Sequence, residues 1–271
     1  RMPPPDELPS SAIEYNLSGA GALWRRIFRY VSFARLRAGN TEFVSVSPEQ
    51  YLVLDRLSKS KLHSIFDIGS ADGQFINACV DRFSTAKIHS FETDPIACKW
   101  LERAFPASKV SIHRLGLSSK PGLRVIEYIA NVRETSTLIH GRPVKNGKPE
   151  KIIIEEIAGD DFCEKHNLAA IDLLNVNFDA HTDRALKGFS QNLSAGNIAV
   201  IMLNCQLRDE QDYVNLRLVS DTLTSFLFRI GRVTKNGFNF DRPFDFIDPT
   251  TVGHSFVAIH QSKKEFTSVM T

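Results

Sequence analysis

Long hydrophobic runs are missing from this chain. No window approaches the roughly 18 uninterrupted apolar residues of a membrane-spanning helix, and no signal-peptide pattern opens the sequence. The four cysteines, Cys79, Cys98, Cys163 and Cys205, are widely spaced and include no C-x-x-C pair. That spacing argues against a disulfide framework or a thiolate metal site, and predicts reduced, mostly buried thiols in a cytoplasmic protein. An excess of one charge is absent too. Lys and Arg number 33 against 31 Asp and Glu, for a net charge of +2, which implies neither a general nucleic-acid binder nor an acidic tail. What is present is a chain of 271 residues, 42% hydrophobic and 24% charged, able to bury one large core with a small N-terminal addition.

The first ten residues hold Pro3, Pro4, Pro5 and Pro9 and read as a linker or an expression scar. Residues 20–37 pattern as a helix with Trp24, Ile27, Phe28 and Val31 on one side. Arg25, Arg26, Arg29, Arg35 and Arg37 lie elsewhere on it, either as a solvated face or as a weak attraction for an anionic substrate or membrane surface. Ser47-Pro48-Glu49-Gln50 combines a cap, a proline at the first helical position and a glutamine three residues on, so a helix is expected over 48–60. Residues 1–60 are thus expected to be a linker and accessory helices, and 61–271 the main domain.

The most informative stretch follows. Apolar Ser64-Ile65-Phe66 runs into Asp67-Ile68-Gly69-Ser70-Ala71-Asp72-Gly73, and a second apolar stretch ends in Phe91-Glu92-Thr93-Asp94. This reads as strand, glycine turn and helix start, then a second strand whose tip carries a carboxylate, the way doubly wound α/β folds hold nucleoside cofactors. Glu92 is suited to accept hydrogen bonds from a ribose diol. A dinucleotide site wants G-x-G-x-x-G, with a middle glycine making room for a pyrophosphate. Here that glycine is missing, which favours S-adenosylmethionine over a nicotinamide dinucleotide. Its carboxylate would lie near the exposed N–H groups of the helix starting around Gln74. The bland alternative is a turn whose glycines serve packing alone.

Beyond this unit strands and helices alternate. Phe75, Ile76, Cys79, Val80 and Phe83 repeat at helical spacing, Asp94-Pro95 starts another helix, and strands are expected at 110–115, 170–176 and 197–203. Gly116-Leu117-Ser118-Ser119 follows the third strand, where a cofactor's adenine would lie. A helix near 209–228 leads into strands at about 229–235 and 255–261. The expected architecture is a Rossmann-like α/β fold with a seven-stranded, mostly parallel sheet, an antiparallel terminal strand and helices on both faces. Residues 131–150 break the rhythm with Gly141, Pro143, Gly147 and Pro149 and read as a loop, either folded over a substrate or simply mobile.

The ordered series Phe66-Asp67-Ile68-Gly69-Ser70-Ala71-Asp72-Gly73, Phe91-Glu92-Thr93-Asp94-Pro95, Leu117-Ser118, Ser136-Thr137-Leu138, Ile171-Asp172-Leu173-Leu174 and Leu186-Lys187-Gly188 resembles the FkbM-type methyltransferases. The resemblance covers roughly 62–205. It implies a class I S-adenosylmethionine-dependent enzyme methylating hydroxyl groups, often on sugars or polyketides. By that likeness and the residue pattern, the cofactor site comprises Asp67, Gly69, Ser70, Ala71, Gly73, Gln74, Glu92, Thr93, Leu117, Ser118 and Asn175.

One motif departs from the family. Where the family reads K-I-D-V-E-G after the fourth strand, this chain has Asn175-Val176-Asn177-Phe178-Asp179-Ala180, and Asn204 stands where a glutamate often ends the fifth. The usual mechanism cannot be carried over whole, and no metal site is expected. Methyl transfer needs the acceptor oxygen aligned and its proton removed. Asp179 and His181 are the groups near the strand tips able to take a proton, with Asn177 in reach and His140 as the loop's candidate. His181 is alternatively a structural hydrogen-bonder, and Asp179 a cap for a helix beginning near Thr182. The expected function is O-methylation of a small-molecule or glycan acceptor. A catalytically inactive methyltransferase fold serving as a binding or scaffold module is the other reading.

Overall fold

A computed structural model of the chain describes residues 46–128, 150–177, 181–207, 209–234, 236–241, 243–244 and 253–270. The expected Arg25–Arg37 helix and nearly all of the 131–150 loop therefore lie outside the described residues.

Helix α1 (Pro48–Leu57) starts where the sequence places it, on a complete capping box. Ser47 Oγ accepts the Gln50 N–H at 3.2 Å and Gln50 Oε1 accepts the Ser47 N–H at 2.8 Å. Its buried Val53, Leu54 and Leu57 pack toward the closing strands of the main sheet, so the helix shares the domain's core.

That sheet begins with β1 (Ser64–Ile68), β2 (Lys87–Phe91) and β3 (Val110–His113), linked by α2 (Gln74–Arg82) and α3 (Pro95–Ala104). The chain then crosses to the other side of β1 for β7 (Ile171–Asn177) and β8 (Ile198–Gln206). It closes with β9 (Phe228–Thr234), β10 (Gly237–Asn239) and β11 (Gly253–His260). The described residues form eight strands in the order β10-β9-β11-β8-β7-β1-β2-β3. The run from β8 to β3 is parallel, and β11 lies antiparallel between β8 and β9. This order and closure define a Rossmann-like class I methyltransferase fold. The expected sheet of seven strands gains one, the three-residue edge strand β10.

A second sheet is a larger departure. It contains β4 (Gly116–Ser118), β5 (Gly122–Tyr128) and β6 (Glu150–Ala158), in the order β4-β6-β5. Helices α4 (Gly159–Lys165), α5 (Thr182–Lys187), α6 (Ser190–Ser194), α7 (Glu210–Ser225) and α8 (Lys264–Met270) complete the described elements.

Phe66 on β1 anchors the core, its ring centroid 5.2 Å from Phe91, 5.7 Å from Phe162 and 6.2 Å from Phe189. All four cysteines are free and buried, and burial pushes the Cys98 and Cys163 thiols up to about 12. They pack as small apolar groups. Among the described residues no helix is long and apolar enough to cross a membrane.

Candidate functional site

From β1 the chain runs one way to β2 and β3, and later the other way to β7 and β8. The carboxyl ends of the strands at such a switch point are where open α/β sheets bind ligands. The turn after β1 is built for close approach. Gly69, Ala71 and Gly73 have φ of 75°, 47° and 76°, and the Gly69 N–H donates to Phe91 O at 2.9 Å. The two glycines serve different ends. A Cβ on Gly73 would lie 2.6 Å from Leu101 and 2.7 Å from Phe105, so its bare backbone is a packing requirement. A Cβ on Gly69 would meet nothing closer than Asn177 Cβ at 3.6 Å, and there the missing side chain leaves space.

Glu92 ties this turn to the tip of β2. Its Oε2 accepts the Ala71 N–H at 2.7 Å, and Oε1 accepts those of Thr93 at 2.7 Å and Asp94 at 2.9 Å. Burial raises the pKa of this carboxyl, and the three backbone donors oppose that shift. A carboxylate oxygen has two acceptor sites, so Oε1 is filled and Oε2 keeps one.

Beneath the turn lies Asp67, fully buried, with burial pushing its pKa up to about 6 against the opposing bond from Asn175. Asn175 Nδ2 donates to Asp67 Oδ1 at 2.7 Å, while Asp67 Oδ2 has no hydrogen-bond partner among the described residues. The amides of Asn177 and Asn204 continue from there. Asn204 Nδ2 donates to Asn175 Oδ1 at 2.7 Å and reaches Asn177 Oδ1 at 3.4 Å, and Asn177 Nδ2 donates to Gly69 O at 2.6 Å. The tips of β1, β7 and β8 are thus knitted together by donors that an aspartate would lack. A carboxylate at 175 would instead face Asp67.

These tips contribute to a cleft lined by Gly69, Glu92, Thr93, Asn177 and His181. The second sheet contributes Leu117, Arg124, Ile154 and Glu156 to the same cleft. Arg124 Nη1 lies 3.3 Å from Glu156 Oε1, and Arg184 Nη2 lies 3.2 Å from Glu156 Oε2 and 2.8 Å from Ser118 Oγ. Arg124 Nη2 sits 3.0 Å from His181 Nε2. A guanidinium only donates, so Nε2 accepts and the ring proton is assigned to Nδ1. The lone pair that a base at His181 would offer through Nε2 is engaged by Arg124.

Of the residues expected from sequence to form the site, Asp67, Ser70, Gly73, Ser118 and Asn175 are buried behind the cleft. Ala71 and Gln74 are partly exposed at the turn, where Gln74 Nε2 donates to Asp72 Oδ2 at 2.7 Å. Asp179 and His140 lie outside the described residues. Within the Leu186-Lys187-Gly188 motif, Gly188 is required because a Cβ there would run into the carbonyl oxygen of Ser118. Asp172 accepts the His63 and Ser64 N–H groups at 2.6 and 3.0 Å, where β1 begins. Its role is to start the strand. Among the described residues no group of three or more His, Cys, Asp or Glu is placed to hold a metal.

Arg124, Glu156 and Arg184 were not anticipated. The signal was two charges at inward positions: Arg124 and Glu156 line the cleft on the side of β5 and β6 that also carries the buried Ile126 and Ile154, while Leu123, Val125 and Ile153 are 77%, 60% and 63% exposed.

No protein-family model matches the chain, and no curated protein does; the FkbM likeness rests on the quoted motifs alone. Solved structures similar to it include cofactor-bound Rv0187 from MTB, at 12% identity and a TM-score of 0.48 over 96% of this chain and 98% of that one. The O-methyltransferase from Bacillus cereus in complex with SAH is 12% identical, with a TM-score of 0.44 over 87% and 90%. Precorrin-6y C5,15-methyltransferase from Geobacter metallireducens is 12% identical, with a TM-score of 0.45 over 82% and 93%.

Proposed function

We propose that residues 61–271 form an S-adenosylmethionine-dependent O-methyltransferase of FkbM type that methylates a hydroxyl of a sugar or glycoconjugate. The observation that carries this reading is Glu92, a buried carboxylate with one open acceptor site, set against a left-handed turn at the sheet's switch point. The open site suits a ribose hydroxyl. Asp67, with one unpartnered oxygen beneath the same turn, adds negative potential that suits a cationic ligand. When bound, S-adenosylmethionine supplies an activated methyl group. The protein's tasks are then to orient the acceptor and remove its proton. We assign the proton to Asp179, because His181 Nε2 is engaged by Arg124. Calorimetry with S-adenosylmethionine, its demethylated product S-adenosylhomocysteine and NAD tests the reading. The first two are expected to bind, and binding of NAD alone would overturn it.

The amide ladder favours a second reading, a methyltransferase fold that binds without catalysis. Asn175 spends its donor on Asp67, Asn177 on the turn and Asn204 on Asn175. Binding of S-adenosylmethionine with no methyl transfer to any of a panel of hydroxylated sugars would select it.

A further inference from the structure

The second sheet carries charge into the cleft that the proposed cofactor chemistry does not use. Two guanidiniums, Arg124 and Arg184, share one carboxylate, Glu156. The set therefore holds one excess positive charge. Glu156 is the inner member, its side chain 11% exposed, while Arg124 keeps 28% exposure on the cleft wall. Arg124 is also oriented firmly, with Nη1 on Glu156 and Nη2 on the neutral His181 nitrogen. Of its five N–H groups only two are used in these contacts.

We propose that Arg124 is the anchor for an anionic oxygen group, a phosphate or a carboxylate, on the acceptor, so that the acceptor is an acidic hydroxyl compound and not a neutral sugar. The inference rests on the methyltransferase reading for the word acceptor; the anion site itself does not depend on it. A planar guanidinium held at two points offers its remaining donors in a fixed fork, which matches two oxygens of a carboxylate or phosphate. Glu156 restrains the two arginines from behind and cancels only one of their charges. The two charges on the inward side of β5 and β6 have a reason on this account: Arg124 and Glu156 stand among the buried Ile126 and Ile154 to meet a charged ligand.

The test is calorimetric titration of the full chain with inorganic phosphate and with glucuronate against glucose, with and without saturating S-adenosylhomocysteine. Phosphate and glucuronate are expected to bind at least tenfold more tightly than glucose, and more weakly as salt rises. Arg124→Met should remove that preference, Arg124→Lys should retain part of it, and Glu156→Gln should strengthen anion binding by removing the competing carboxylate. The S-adenosylhomocysteine dissociation constant of Arg124→Met should stay within twofold of wild type. Equal binding of glucose, no binding of either anion, or an unchanged preference in a folded Arg124→Met protein overturns the proposal. A tenfold loss of S-adenosylhomocysteine affinity in that variant also overturns it, by giving the arginine to the cofactor. Should the wild type bind the anions through Arg124 and yet not bind S-adenosylhomocysteine, the anion site stands and the methyltransferase reading falls.

Discussion

Two buried carboxylates decide the chemistry of the turn, and substitution separates their roles. Glu92→Ala leaves three backbone N–H groups without their acceptor, so it is expected to destabilise the protein by roughly 1–3 kcal/mol as well as to weaken S-adenosylhomocysteine binding tenfold or more. Urea unfolding and calorimetry report the two effects separately, and an unchanged dissociation constant removes the ribose role. Asp67 behaves differently. Its folded pKa of about 6 lies above the ordinary 3.8, so the fold favours the protonated form. The stability it contributes is complete below pH 3.8 and is lost as the pH rises through 6. Asp67→Asn should therefore unfold with about 1–3 kcal/mol more difficulty than wild type at pH 7, with the gap closing toward pH 4. The same variant should bind S-adenosylmethionine less well. A gap independent of pH would show that the carboxyl is not the titrating group.

At the scale of elements, β2, β3 and α4 share a histidine stack. The rings of His89 and His113 lie 5.4 Å apart and nearly parallel, with His89 Nδ1 3.2 Å from His113 Nε2 and Phe162 edge-on to both. Burial, followed by neighbouring histidines, lowers both to a pKa of about 4 from 6.5. Protonation then favours the unfolded chain, so their contribution to stability is complete above pH 6.5 and declines toward pH 4. That trend opposes Asp67's, and comparison with His113→Phe isolates it: the variant, which keeps the stacking surface, should lose less stability than wild type between pH 6.5 and 4 in urea titrations. Elements such as α1 and the β1 turn were legible because their signals are local, a capping box and left-handed glycines within a few residues. The second sheet was not. Leu123 and Val125 alternate with Arg124 as in any half-buried strand, but only pairing with β6 sets Arg124 and Glu156 on the side of the buried Ile126 and Ile154. The work of the amides at 175, 177 and 204 was not legible either, because their bonds join residues 108 apart for Asn175 and Asn177 and 29 and 27 apart for Asn204, which no local pattern shows.

The whole molecule places its cleft where the two halves of the main sheet and the second sheet come together, so a ligand there touches segments from Gly69 to His181. Anything that binds this junction only in the folded state must stabilise the entire domain. At one hundred times its dissociation constant the added stability is about 2.7 kcal/mol, which for a domain of this size corresponds to a rise in unfolding temperature of roughly 5–10 °C. S-adenosylhomocysteine is expected to give that shift in a thermal scan and NAD to give none. Gly69→Val supplies the internal control. The substitution places a branched side chain beside Asn177 in the space the turn leaves open, and forces a left-handed backbone on a residue that resists it. Its own stability should fall by about 1–3 kcal/mol, while the core around Phe66 stays folded. The shift with S-adenosylhomocysteine should then disappear although a cooperative transition remains. A Gly69→Val protein that still gains the full shift would put the cofactor elsewhere, and a shift with NAD in place of S-adenosylhomocysteine would return the turn to the dinucleotide-binding folds.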